Sequence, residues 1–144
     1  MIKKIRQLIF ATSATLMLLT STEIFAHEEH CQDTELGDLM KSMKDDLKGY
    51  VKSFKQSDQK AMQKYLNELI ADSKNARTLM PLKYESQSET SIDIVRYQEG
   101  MDKLVALLHE LKQAGDDKGA IKPLLAEVKQ ASKKGHDAFR KDCD

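Results

Sequence analysis

Tryptophan is absent from this chain, and only two prolines and six glycines occur among its 144 residues. So few breaks suit long uninterrupted helices and leave little for the turn-dense patterns of sandwiches and barrels. No stretch alternates β-branched and polar residues, so strands are not expected. Charge of one sign is missing too, since 23 lysines and arginines balance 23 aspartates and glutamates. A chain with no formal net charge presents no strong overall field, which argues against nucleic acid as a partner. The sequence also lacks a glycine-rich phosphate loop, a nucleophile beside a base, and carboxylates paired for acid–base work, so no enzyme is expected.

Long hydrophobic runs are scarce. The longest, 8–19, is interrupted by Thr12, Ser13 and Thr15 and falls short of a membrane span. It follows the basic start Lys3, Lys4 and Arg6, and precedes the polar Thr20, Ser21 and Thr22 and then Ala26. Charged start, short apolar region and small residue stand in the order of a secretory signal. The expectation is a signal peptide over 1–26 and one mature domain over 27–144, exported to the periplasm and free of the membrane after cleavage. A domain that small, with few apolar residues, buries one thin core.

What remains is patterned for helices. In 33–56, Leu36, Met40, Met43, Leu47, Tyr50, Val51 and Phe54 recur at steps of three and four. Ser57 and Asp58 can cap a second helix, whose stripe is Met62, Leu66, Leu69, Ile70 and Ala76 and which must stop before Pro81. The polar segment 81–91 reads as the longest loop. A third helix, 90–114, carries Ile94, Tyr97, Met101, Leu104, Leu108 and Leu111, and Gly115 suits the left-handed residue that closes a helix. The last helix begins near Ala120, with Pro123 in its first turn, and runs through Val128, Gly135, His136 and Phe139. Four amphipathic helices with mostly short connections predict an all-α, antiparallel up-down-up-down four-helix bundle.

Two residues on these stripes carry chemistry jointly that neither carries alone. A methionine on an apolar stripe is usually core, and a lone histidine near a helix end is usually surface. In the expected bundle, however, the first and last helices are antiparallel neighbours. Met40 near the start of one and His136 near the end of the other then reach the same depth at one end. A thioether and an imidazole facing each other suit the two axial positions of haem iron, with the soft sulfur favouring the ferrous state. Filling both positions with protein favours electron transfer over oxygen chemistry. Leu36, Met43 and Met101 would line a porphyrin, Ser132 and Gly135 would leave it room, and Arg140 one turn beyond the histidine would meet a propionate.

At these residues the sequence resembles the soluble cytochrome b562 family. The matching segments are LGDLMKSMKDDLK over 36–48, GMDKLV over 100–105 and HDAFR over 136–140. The resemblance spans nearly the whole mature domain. It implies one non-covalent b-type haem on Met40 and His136, with Arg140 at the position of the family's terminal arginine. The sequence departs from the family pattern in having Ser132 in place of an arginine and Gly135 in place of an aromatic residue. Tyr97 and Met101 stand where phenylalanines pack on the haem.

The two cysteines, Cys31 and Cys143, lie in no C-x-x-C-H, which excludes covalent haem attachment of the c type. Both extend past the same bundle end, so an exported chain is expected to join them in a disulfide. A second reading rests on His27, Glu28, Glu29, His30 and Cys31, whose side chains suit copper, nickel or zinc and would make the protein a periplasmic metal-binding module. A third is a haem-free helical interaction protein. His109, in the middle of the third helix, is expected to be structural and partly exposed. The electron-transfer reading expects a monomer that meets an unidentified periplasmic redox partner.

Overall fold

A computed structural model describes residues 34–141. The proposed signal peptide, the His27–Cys31 segment and the Cys31–Cys143 pair lie outside these residues. Among the described residues the chain is all α, a four-helix bundle of α1 (Glu35–Gln56), α2 (Gln59–Thr78), α3 (Ile92–Ala114) and α4 (Lys118–Phe139). A single 3-10 turn, Leu82–Tyr84, interrupts the connection between α2 and α3. No described helix is long and apolar enough to cross a membrane.

Each helix starts on a side-chain cap. Thr34 accepts from the Gly37 N–H at 3.0 Å, and Glu35 and Asp38 in the first turn suit the positive end of the helix dipole. Asp58 caps α2 through the Ala61 N–H and Ser91 caps α3 through the Ile94 N–H. Ser57 was expected to help start α2. Instead it closes α1 in the left-handed conformation, φ 55 and ψ 31, its N–H on the Phe54 carbonyl. One residue ends one helix and the next begins another. Gly115 has the expected positive φ of 60, but its ψ of −105 lies away from the left-handed helical basin. Helix α4 starts two residues earlier than the sequence pattern suggests, because Asp117 accepts from both the Gly119 and Ala120 N–H groups. Pro123 therefore falls in the second turn. Both it and Gly119, whose carbonyl it cannot serve, are exposed, so water can take the missing hydrogen bond.

Close packing runs α1 on α2, α2 on α3 and α3 on α4, whereas the backbones of α1 and α4 scarcely approach each other. Gly49 lets α1 lie against the Tyr65 ring of α2, where a Cβ would come within 2.6 Å of the ring. Arg77 pairs with Asp102 at 2.6 Å and Lys112 with Asn67 at 2.8 Å, so α2 and α3 run antiparallel. Phe139 fixes α4 to α3 through an edge contact on Tyr97 and the close Gly100. Tyr50, Leu108, Leu111, Ile121 and Val128 form the fully buried centre. Ser53 and Ser73, also buried, turn their hydroxyls onto the Gly49 and Leu69 carbonyls of their own helices.

One group works against the fold. Burial, then repulsion from Glu68, Asp72 and Asp45, pushes the Asp46 carboxyl above the ordinary aspartate range, and Lys64 offsets only part of this. A carboxyl whose folded pKa lies above its unfolded one weakens the fold wherever it is ionised, and the penalty fades as pH falls through that range. Asp46→Asn is expected to raise the urea midpoint at pH 7 and to leave it unchanged near pH 3. A rise of equal size at both values would contradict this account. Ser57→Gly is expected to stabilise the protein by about 0.5–1 kcal/mol, since glycine alone occupies positive φ without a Cβ penalty. Thermal unfolding would show this as a rise of roughly 2–6 °C.

Candidate functional site

The helix N-terminus of α1, the C-terminus of α2, the 79–91 connection, the start of α3 and the end of α4 meet at one end of the bundle. The aromatic contacts identify it. Tyr97 from α3 meets Phe139 from α4 at 5.5 Å between centroids, and Tyr84 from the 3-10 turn also meets Phe139, at 6.3 Å. Tyr97 is buried and donates its hydroxyl to the Ala76 carbonyl at 2.6 Å, tying α3 to the last turns of α2. Burial, with no charge nearby to favour ionisation, pushes its phenol well above the ordinary tyrosine range.

The structure divides the residues singled out by sequence. Met43 and Met101 are buried members of the core, and Leu36 and Met40 are half-buried against the same cluster, as is Phe139. His136 and Arg140 are exposed, in the last turn of α4 and at its C-cap. The helix ends at Phe139, so His136 lies one turn inside the end. His109 is exposed, as its position on α3 implies. On α1, Gly49 and Asp46 mark the flank turned to α2. Helical spacing puts Met40, Lys44, Val51 and Lys55 on the opposite flank, away from α2. On α4, His136 lies one row round from Phe139, the residue that packs on α3.

Space for a flat group can be tested at Gly135. A Cβ built there meets nothing within 4 Å, although the residue is half-buried on the core-facing row of α4. Ser132, one turn earlier, is also half-buried and small. Together with a soft sulfur on α1, an imidazole on α4 and the apolar Leu36, Met43 and Met101, this set fits a haem. An open groove of about 450 Å³ between α1 and α2, bordered by Glu35, Asp38 and Asp72, lacks any such donor and is too polar for a porphyrin.

Sequence reasoning missed how the end of α4 is held. The Lys83 ammonium and the Tyr84 hydroxyl both donate to the Ala138 carbonyl, at 2.9 and 3.0 Å. That carbonyl is one of the last four of the helix, which no intrahelical N–H can serve. The 3-10 turn thus grips the residue two past His136. Pro81, with φ −62, sets up the turn and was visible as a helix stop, but the grip joins residues 54 and 55 positions apart and leaves no local pattern.

A bundle whose one end gathers a thioether, an imidazole, aromatic rings and a small-residue gap is of the cofactor-holding class of four-helix bundles. The family model of cytochrome b562 matches residues 35–140, and the chain belongs to the cytochrome b562 family. This is a family of haem-binding, electron-carrying helical bundles with b-type haem, and its members are not typical enzymes. No curated protein matches the chain.

Tyr84→Phe keeps the ring on Phe139 and removes one of the two donors to Ala138. The expected result is a loss of about 0.5–1 kcal/mol. Amide exchange should be several-fold faster at Arg140, whose N–H closes the last turn on the His136 carbonyl. Unchanged exchange there would mean that Lys83 alone holds the helix end.

Proposed function

We propose that this chain is an exported, periplasmic electron carrier holding one non-covalent b-type haem between the Met40 thioether and the His136 imidazole. The observation that carries the reading is the loose α1–α4 seam, with Met40 on the flank of α1 away from α2 and His136 in the last turn of α4. In an up-down-up-down bundle those two side chains face each other across that seam. Haem bound there would supply a single-electron ferrous–ferric couple.

The remaining work falls to the chain. Met40 offers a soft sulfur that favours the reduced metal, and neutral His136 offers a nitrogen that donates in either state. Both stand on helices anchored elsewhere, α1 by its packing on α2 and α4 by Phe139 and the Ala138 grip. Ligands held so firmly move little when charge changes. Leu36, Met43 and Met101, which belong to or pack on the core cluster, would keep water from the bound group. Arg140 at the helix end would meet a propionate with a charge-assisted hydrogen bond. A haem held by Met40 and His136 together would supply electron transfer rather than substrate chemistry.

The test is spectroscopic. The mature chain reconstituted with haem is expected to show sharp low-spin bands when reduced. Met40→Ala and His136→Ala should each convert them to high-spin bands, with at least about a tenfold loss of haem affinity. A low-spin spectrum untouched by either substitution would remove that residue as a ligand.

A further inference from the structure

Lys118, Lys122, Lys129, Lys133 and Arg140 follow one another along α4 at steps of four and seven, and so share one flank of the helix. His136 falls in the same row. All six side chains are exposed. Among the described residues none of the five cations pairs with a carboxylate, and Lys118 reaches only the Ser57 hydroxyl at 3.4 Å. Over its whole length α4 carries five lysines against Glu127 and Asp137. The formal charge of α4 is thus +3, against +1 for α1, +2 for α2 and −1 for α3, and most of it lies on the flank that bears the exposed histidine.

We infer that this row is the docking surface for the acidic face of a partner protein, a reading that builds on the electron-carrier function proposed above. Encounters between redox proteins are small and brief, and complementary charge steers them more than buried area does. A row of solvated lysines on the flank of α4 that bears His136 suits that kind of contact. An anionic membrane fits less well. Helices that lie in a bilayer surface present bulky apolar side chains opposite their lysines, but the apolar face of α4 is turned into the core. Among the described residues the large hydrophobics left exposed are Ile92, at 61 %, and Val95, at 37 %, and both belong to α3.

The experiment uses the mature chain, with and without haem, and two variants of equal charge. One carries Lys122→Glu, Lys129→Glu and Lys133→Glu. The control carries Lys60→Glu, Lys74→Glu and Lys103→Glu, all exposed and off α4. Short poly-L-glutamate is titrated at low salt and followed by amide NMR. Shifts confined to α4, with affinity about tenfold weaker in the α4 variant and nearly unchanged in the control, are expected. With haem bound, oxidation by ferricyanide should slow about tenfold in the α4 variant alone and should slow with added salt in the unaltered protein. Equal effects of the two variants would overturn the proposal. So would sedimentation with phosphatidylglycerol vesicles that depends on the same three lysines, which would make the surface a membrane contact. Failure to bind haem would sink the electron-carrier reading, while the poly-L-glutamate titration of the haem-free chain would still decide the fate of the row.

Discussion

Everything at the functional end follows from one seam that is not closed. Three of the four helix junctions have a lock. Gly49 admits the Tyr65 ring between α1 and α2, Tyr97 bonds Ala76 between α3 and α2, and Phe139 seats on Gly100 and Tyr97 between α4 and α3. Among the described residues no such contact joins α1 to α4, and in the proposed arrangement their facing flanks are alike in charge. Lys44 and Lys55 lie on the flank of α1 away from α2, and Lys122, Lys129 and Lys133 lie on the row of α4 that holds His136. Opposite charges there would draw the two helices together by a few tenths of a kcal/mol per pair, and like charges push by a similar amount. Such energies are small beside the burial of Leu108 or Ile121, worth roughly 1.5–3 kcal/mol each. They cannot hold the bundle apart.

The same arithmetic explains why the ion pair between α2 and α3 sets register rather than stability. Arg77 and Asp102 are largely exposed, so their bond adds little to the fold. Its value is positional. With Lys112 on Asn67 it fixes α2 against α3 along their length and brings Ala76 to the Tyr97 hydroxyl. Phe139 then locates α4 from Tyr97. The position of His136 is thus transmitted through a chain of contacts that begins on α2, and the Lys83 and Tyr84 grip on Ala138 closes that chain.

Much of this was legible in the sequence and part of it was not. The apolar spacing of Leu36 to Phe54 and of Ile94 to Leu111 gave two helices whose observed limits differ from the reading by at most two residues. The family's segments pointed to cytochrome b562, and the family model agrees over 35–140. Periodicity places a residue on a stripe, though, and does not say how far round the stripe is covered. Met43 and Met101 are buried, but Met40 is only half-buried and His136 is exposed. The role of Ser57 was misread for a related reason. Its type suits the start of a helix, whereas its place after α1 required a residue of positive φ, and the adjacent Asp58 was enough to start α2.

Partial exposure of an apolar end is costly for a protein with so thin a core, and the cost has a direction. Leu36, Met40 and Phe139 are half-buried against the core cluster, and Gly135 adds space that no side chain fills. A fold selected for stability alone would place a leucine or phenylalanine there and gain about 1.5–3 kcal/mol. Binding of a large flat apolar group to the folded chain recovers that surface, and by mass action stabilises the fold by about 4 kcal/mol at a thousand times its dissociation constant. On the proposed ligation, the loose seam, the small residues beside it and the exposed imidazole would form one design: each is idle for the bundle by itself, and each would become useful once a haem is taken as part of the core.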